Sequence, residues 1–231
     1  MKRTKKIVTL AMAMVLLVCT TVMATLAYLQ DETEVVKNTF TVGNVVIDLD
    51  EAAVDEYGEQ EYKDDAKTEI ADRVKANEYK LIPGHTYLKD PTVHVETDSE
   101  ASYVFMKVVI NNYSDVIKVY GEGFLPQDVV TGWVPTTWIS TEEVKLDPTA
   151  DTATYVFYYH KKVADTLKAE EPLVLEPLFT SIVMDETFDY DDVSTLQAAS
   201  IDITAYAIQA DGFDITNADD LAEMQAALKL N

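Results

Sequence analysis

The segment that decides the fold is SYVFMKVVIN, residues 102–111. Apolar residues recur at every second position of it, and they would share one face: Val104, Met106, Val108 and Ile110. The other face carries Tyr103 and Phe105 beside Lys107. Successive side chains of a strand point to opposite faces of its sheet, so a period of two predicts a β-strand. Because one face is wholly apolar, we expect this strand to line a hydrophobic core.

Segments with the same alternation lie on both sides of this strand. They cover residues 38–50, 92–97, 153–163 and 200–208, and residues 172–184 predict a strand pair or one bent strand. Turn signals such as Pro83-Gly84 and Asp211-Gly212 separate these segments. Strands at this spacing, with little helical pattern between them, predict an all-β fold. We expect residues 28–231 to form a single antiparallel β-sandwich.

Two short helices complete the predicted fold. Residues 191–199 predict a short connecting helix. In residues 217–230, Leu221, Met224 and Leu228 recur at helical spacing, and Asn217 is a candidate N-cap. We interpret this short C-terminal helix as a lid that packs on the sandwich.

An acidic excursion interrupts the strand pattern at residues 50–78. Its first part, residues 50–69, holds nine acidic residues and two lysines. Such a composition buries little apolar surface. We therefore expect an exposed segment that is partly disordered or loosely helical.

The start of the chain predicts a secretory leader. Four cations precede an uncharged apolar run, residues 7–24, and small residues follow at Thr25 and Ala27. This order predicts a signal peptide, residues 1–27, that is cleaved between Ala27 and Tyr28. The apolar run is nearly long enough to span a bilayer, so an uncleaved N-terminal anchor is an alternative. Lipidation of Cys19 is a weaker alternative.

Composition argues against two classes of partner. The chain has 41 acidic and 18 basic residues, a net charge of −23, and four of the bases lie in the leader. Binding to nucleic acids needs clustered lysines and arginines, so we expect no nucleic-acid partner. Anionic lipid surfaces are unlikely partners for the same reason, and membrane contact is expected only through an uncleaved leader. Cys19 is the only cysteine, so the cleaved chain must fold without disulfides.

The motif search predicts no catalytic residues. The zinc motif His-Glu-x-x-His is missing from the sequence, and His85, His94 and His160 are spread over predicted turns and strands. A site formed by these three histidines remains open, because sheet residues can converge on a metal. Calcium is the other alternative, at the acidic clusters 185–192 and 211–220, although neither cluster follows the spaced calcium loop. We otherwise expect no metal and no cofactor.

The N-terminal region carries a family resemblance. In ATLAYLQDETEVVKNTFTVGNVVIDL, residues 24–49, a cut site after Ala27 precedes an aromatic residue, an acidic stretch, the tripeptide Asn38-Thr39-Phe40 and an amphipathic strand. This order resembles the start of the TasA and camelysin family, secreted proteins of Gram-positive bacteria whose leaders are cut by a SipW-type signal peptidase. The Pro-Gly turn in LIPGHTYLKDPTV, residues 81–93, is also similar to a turn of that family.

The resemblance implies a fold, a location and a function. It implies a jelly-roll-like sandwich at the cell surface or in the extracellular matrix of a Gram-positive bacterium. TasA-like proteins build biofilm fibres by donor-strand exchange, in which the N-terminal strand of one subunit completes a sheet of the next. Residues 28–37 would be the donor strand here, with a second copy of the chain as partner. The residues expected to mediate assembly are Tyr28, Leu29, Val35, Val36 and Phe40.

Three alternatives remain open. The donor segment could fold onto the sheet of its own subunit. The protein could instead be a surface-displayed module that binds a host protein, or that binds glycans through Trp133 and Trp138, although such aromatic residues more often belong to a core or an interface. Some family members have been described as metalloproteases, so a camelysin-like metal-dependent protease is the third alternative.

Overall fold

The computed structural model describes residues 44–141 and 144–230. These residues form antiparallel sheets with three short helices, which confirms the all-β prediction. The predicted leader, the cleavage site and the donor strand lie outside the described residues. The residues concerned are Ala27, Tyr28, Leu29, Val35, Val36 and Phe40.

The described residues contain eleven strands, three α-helices and one 3₁₀ turn at Pro126–Asp128. The strands are β1 (Ile47–Asp50), β2 (Thr86–Leu88), β3 (Thr92–Val95), β4 (Ser102–Asn111), β5 (Val130–Thr131), β6 (Trp138–Ser140), β7 (Lys145–Asp147), β8 (Thr152–Tyr159), β9 (Leu173–Val174), β10 (Ser181–Val183) and β11 (Ser200–Gln209). The helices are α1 (Tyr113–Tyr120), α2 (Tyr190–Leu196) and α3 (Ala218–Ala227).

Three sheets connect these strands. The largest has the strand order β11-β4-β8-β6, and β7 also pairs with β8. The two smaller sheets have the orders β1-β3-β9 and β2-β10-β5. Residues 172–184 therefore contain two strands, β9 and β10, which belong to different sheets. One bent strand, the other option for this segment, is wrong.

Strand β4 separates two hydrophobic cores. Val104, Met106, Val108 and Ile110 lie in the main core. The residues between them, Tyr103 and Phe105, lie in a second and smaller core. The predicted alternation is confirmed, and the second face of the strand is also buried.

The C-terminal helix covers the second core, as predicted. The side chain of Asn217 caps α3 by accepting hydrogen bonds from the backbone N–H of Asp219 at 2.8 Å and of Asp220 at 3.3 Å. Met224 and Leu228 are 0% and 2% exposed and pack in the same core as Phe105. Helix α3 is therefore held by a polar cap and by an apolar stripe that seals the outer face of β4.

The acidic excursion is ordered, and the expectation of a loosely helical segment is wrong. Residues 50–78 contain no helix, and isolated antiparallel bridges join Glu51 to Val74 and Tyr62 to Ile70. Gly58 has a φ of +75°, and a Cβ atom there would lie 2.8 Å from the Cα atom of Tyr87. The turn at Gly58 therefore packs on β2 so closely that only glycine fits.

Helix α1 follows β4 directly, and sequence patterns did not predict it. Its N-terminal cap comes from Asp151, in the turn between β7 and β8. The carboxylate of Asp151 accepts hydrogen bonds from the backbone N–H and the hydroxyl of Ser114, both at 2.8 Å. The backbone C=O of Asp151 accepts another from the N–H of Tyr113 at 3.0 Å. Asp151 is 37 residues away from Ser114 in the chain.

We expect Asp151→Ala to lower the free energy of unfolding by about 1 kcal/mol or more, since it removes this cap. Asp151 has a φ of 54°, a backbone conformation that Asp and Asn tolerate better than Ala, which adds to the cost. Urea unfolding measures the difference. Asp151→Asn is the matched control, because it keeps an acceptor oxygen and the tolerance for positive φ. Equal stability of the Ala and Asn variants would contradict the capping role.

Candidate assembly surface

Strand β11 is the edge of the largest sheet. Among the described residues it pairs with β4 and with no other strand. It is ten residues long, and its register runs from Ser200 opposite Asn111 to Gln209 opposite Ser102. An edge strand presents a row of unpaired backbone N–H and C=O groups that can template another strand. Its length makes β11 the best candidate in the described fold for accepting an added strand.

The hydrogen-bond register determines which backbone groups of β11 face outward. The N–H of Ala210 donates to the C=O of Ala101 at 2.8 Å, one step beyond the last pair of the ladder. Hydrogen-bonded and non-hydrogen-bonded pairs alternate in an antiparallel ladder, so the even-numbered residues of β11 bond to β4. The odd-numbered residues direct their N–H and C=O groups away from β4. They are Ile201, Ile203, Ala205, Ala207 and Gln209.

Few features of β11 discourage pairing. Natural edge strands are often protected by lysine, by proline or by a bulge. β11 contains neither lysine nor proline, and its register with β4 is continuous. Its one charged residue, Asp202, accepts a hydrogen bond from Asn111 Nδ2 at 2.7 Å. The outward backbone row therefore lacks the usual devices that keep a second strand away.

Strand β1 lies against β11 without pairing with it. Cα atoms of the two strands approach within 8 Å, and residues of both belong to the main core. Across the described ranges, no backbone hydrogen bond joins them. Ala205 and Ala207 are small side chains of this core, which leaves room for the close approach. β1 therefore shares the core of β11 but does not pair with its outward backbone groups.

The described chain begins beside the end of β11. The C=O of Asn44 accepts a hydrogen bond from the N–H of Glu100 at 2.9 Å. The carboxylate of Glu100 in turn accepts one from Gln209 Nε2, at the last residue of β11. The segment before Asn44 therefore joins the described fold at the end of the molecule where β11 finishes.

The three histidines do not form a site. The Nε2 atom of His85 contacts the C=O of Tyr57 at 2.6 Å, and that of His94 contacts Asp50 Oδ1 at 3.0 Å. The Nδ1 atom of His160 contacts the C=O of Thr137 at 3.2 Å. Within residues 44–141 and 144–230, no three His, Cys, Asp or Glu residues converge so as to hold a metal. The positions of these histidines therefore give the three-histidine site no support.

The acidic clusters proposed for calcium bind their own backbone. Asp189 accepts a hydrogen bond from the N–H of Asp191 at 2.8 Å and so caps α2. Asp214 accepts hydrogen bonds from the hydroxyl and the N–H of Thr216, and they lower the pKa of Asp214. These carboxylates stabilise local turns, and their arrangement does not support a calcium site.

The two tryptophans belong to the core and its border. Trp138 is 0% exposed, its Nε1 donates to the C=O of Glu176 at 2.9 Å, and its ring packs edge-on against Tyr159. Trp133 is half-buried and donates from Nε1 to the C=O of Trp138 at 2.9 Å. Trp138 therefore presents no surface to a sugar, and the positions of the two residues do not support a shared sugar-binding face.

Acid should weaken the contact between Tyr159 and Glu176. The Tyr159 hydroxyl donates to the Glu176 carboxylate, and this hydrogen bond holds the pKa of Glu176 below its usual 4.5. A lowered pKa means that the ionised form stabilises the fold, so the contribution is complete above pH 4.5 and is lost as pH falls through the folded-state pKa. We expect Glu176→Gln to have a lower free energy of unfolding than the unmodified protein at pH 7, and we expect this difference to become smaller in acid. Urea unfolding at a series of pH values from 7 downward measures the difference in the free energy of unfolding. A difference that does not depend on pH would contradict a stabilising role for the ionised form of Glu176.

A charged network fastens the acidic excursion to β1 and β3. Arg73 donates from Nε to Asp50 Oδ1 at 2.5 Å, from Nη1 to Asp90 Oδ2 at 2.8 Å and from Nη2 to Thr92 Oγ1 at 3.0 Å. Lys75 Nζ lies 2.5 Å from a carboxylate oxygen of Asp48. The sequence did not predict this network, because the net composition of the segment conceals its few cations.

Comparisons with known proteins find no counterpart. No family model matches the chain, and no match is found among curated proteins or among solved structures. In the part of the chain that the structure describes, none of the helices combines the length and the apolar character needed to cross a membrane.

Proposed function

We propose that this protein is an exported structural protein of the cell surface or extracellular matrix that forms fibres with copies of itself. A SipW-type signal peptidase cuts after Ala27 and frees Tyr28 as the new N-terminus. Residues 28–37 of one subunit then add to the outer side of β11 in the next subunit. The observation that supports this proposal most is the outward row of backbone groups on β11, which no strand of residues 44–141 or 144–230 pairs with.

The lengths of the two segments match. The donor segment, residues 28–37, and β11 both have ten residues. Each backbone hydrogen bond contributes about 0.5–1.5 kcal/mol net, so an added strand that satisfies most of the outward groups contributes several kcal/mol. Tyr28 and Leu29 at one end, and Val35 and Val36 near the other, add apolar contacts.

The geometry of the contact favours a filament. The donor and the acceptor are different surfaces of the same chain. The donor segment joins one end of the fold, and the acceptor is the edge of a sheet. Such a contact is head-to-tail, and it continues indefinitely when its rotation does not close a ring. The jelly-roll form of the sandwich belongs to this proposal, supported by the large sheet, in which neighbouring strands such as β4 and β11 are far apart in the chain.

Charge should regulate this assembly. Without the four bases of the leader, the subunit keeps 41 acidic and 14 basic residues, a net charge of −27, and the donor segment itself contains Asp31, Glu32 and Glu34. Subunits therefore repel one another, and salt screens that repulsion over a Debye length of about 10 Å at 0.1 M. Protonation of carboxylates in acid reduces it further. Assembly is accordingly favoured by salt and by low pH.

A truncation tests the proposal. Residues 28–231 and residues 38–231 are purified and compared by sedimentation and electron microscopy over a range of salt and pH. We expect the longer chain to form filaments and the shorter one to remain monomeric and folded. If both chains stay monomeric in acid and at high salt, assembly through residues 28–37 is wrong. If both form the same filaments, another surface is responsible.

A further inference from the structure

We propose that the side chains of Lys89 and Asn77 become joined by an amide bond, with Glu51 transferring the protons. Nothing in the family resemblance or in the proposed assembly requires this bond. It rests on an arrangement of three side chains at the base of the acidic excursion. The product is an internal cross-link in a chain whose only cysteine lies in the leader.

One buried carboxylate holds both reacting groups. Lys89 Nζ lies 2.5 Å from Glu51 Oε2, and Asn77 Nδ2 donates to Glu51 Oε1 at 3.0 Å. Glu51 follows β1, Lys89 follows β2, and Asn77 lies in the returning limb of the excursion. The fold therefore brings an amine and a primary amide, the two components of an isopeptide bond, to the two oxygens of the same carboxylate.

Two of the three side chains are buried, and Asn77 is half-buried. The side chains of Glu51 and Lys89 are 7% and 11% exposed. The ring of Tyr79 covers Lys89 Nζ at 5.9 Å from the ring centroid. Burial raises the pKa of Tyr79, and the negative charge of Glu51 adds to the effect. A buried ion pair is costly to desolvate and often gives little net stability, so a purely structural role explains the pair poorly.

The surroundings of Asn77 activate its amide. Its Oδ1 accepts a hydrogen bond from the N–H of Val54 at 3.2 Å. Its Nδ2 donates to the C=O of Ala52 at 2.9 Å in addition to Glu51. A backbone N–H that points at a carbonyl oxygen stabilises the negative charge that develops there during nucleophilic attack. The carbonyl is thus polarised, and the nitrogen that must leave already contacts Glu51, which becomes a proton donor once it takes a proton from Lys89.

The reaction balances without a further reactant. The Lys89 ammonium first gives a proton to the Glu51 carboxylate across their 2.5 Å contact, which leaves a free amine and a carboxylic acid. The free amine attacks Cγ of Asn77, and Val54 N–H binds the oxyanion. Glu51 gives its proton to Nδ2 and takes one from Nζ. The Cγ–Nδ2 bond breaks, ammonia leaves and takes the proton from Glu51, and a secondary amide joins Nζ to Cγ.

The mass of the purified protein tests this proposal. We expect the protein without substitutions to be lighter than its calculated mass by one ammonia molecule. Peptide fragmentation should show a branched pair that joins the peptide containing residue 77 to the peptide containing residue 89. Glu51→Gln keeps the size of the side chain but does not accept the proton, and Lys89→Arg removes the nucleophile. Both variants should have their full calculated masses.

Lys75→Arg is the matched control, because Lys75 is also ion-paired but is 49% exposed and lies outside this site. It should keep the loss of one ammonia. If the folded protein without substitutions has the full mass calculated from its sequence, the proposal is wrong. A loss that persists in Glu51→Gln or Lys89→Arg, without a branched peptide, would also overturn it, because ring closure at an asparagine would then be the source.

Discussion

The variant Ile203→Pro should remain folded and lose its ability to assemble. The N–H of Ile203 points away from β4, so proline at this position removes no hydrogen bond from the ladder that joins β11 to β4. Proline is tolerated in an edge strand when the missing N–H faces outward. An incoming donor strand would lose one hydrogen bond and would meet the proline ring. We expect the critical concentration for assembly to rise by about tenfold or more, since each 1.4 kcal/mol is a factor of ten.

Two matched variants separate pairing from folding. Ile203→Val shortens the same side chain but keeps the N–H, and it should assemble like the unmodified protein. Thr204→Pro places proline at a residue whose N–H belongs to the ladder with β4, so it should destabilise the fold itself. Sedimentation and urea unfolding measure the two properties separately. If a folded Ile203→Pro variant assembles normally, β11 is not the acceptor strand.

Replacing Trp138 by alanine should cause the largest loss of stability from a single side chain. Trp138 is wholly buried, its ring lies 5.1 Å from that of Tyr159, and its Nε1 satisfies the C=O of Glu176. Removal of a buried tryptophan costs about 3–5 kcal/mol, and the orphaned carbonyl adds to it. We expect Trp138→Ala to lower the free energy of unfolding by about 3–5 kcal/mol in a urea titration.

Trp133→Ala is the comparison for this variant. Trp133 is half-buried and packs on Phe157 with ring centroids 6.1 Å apart. We expect a clearly smaller loss of stability there, because part of its surface already contacts water. If the two variants lose equal stability, or if Trp138→Ala loses less than about 1 kcal/mol, the position of Trp138 at the centre of the main core is wrong.

The long strands were predictable because their signal is local. In β4, β8 and β11 the alternation of side chains continues for eight to ten residues. The N-cap of α3 was predictable for the same reason, since Asn217 lies directly before its helix. Helix α1 was not predictable, because the side chain of the residue before it, Asn112, makes no capping hydrogen bond, and the capping carboxylate, Asp151, is distant in the chain.

The candidate surfaces depend on pairings that a sequence pattern does not contain. Alternation identifies β11 as a strand, but only the strand order shows that one of its sides has no partner among the described strands. Similarly, Glu51, Asn77 and Lys89 are separated by tens of residues and meet because the acidic excursion folds back on β1. Composition predicted a solvated segment there, since an average over many acidic residues conceals three groups that the fold buries together.

Residue-specific hydrogen exchange of the β11 amides tests the assembly proposal most directly. Exchange is carried out on the monomer and on the filament, and the amides are then read individually by NMR after the filament is dissolved. We predict that the amides of Ile201, Ile203, Ala205 and Ala207 exchange rapidly in the monomer and become protected in the filament, while even-numbered residues are protected in both. Odd-numbered amides that exchange in the filament as fast as in the monomer, or that are already protected in the monomer, would contradict donor-strand pairing at this edge.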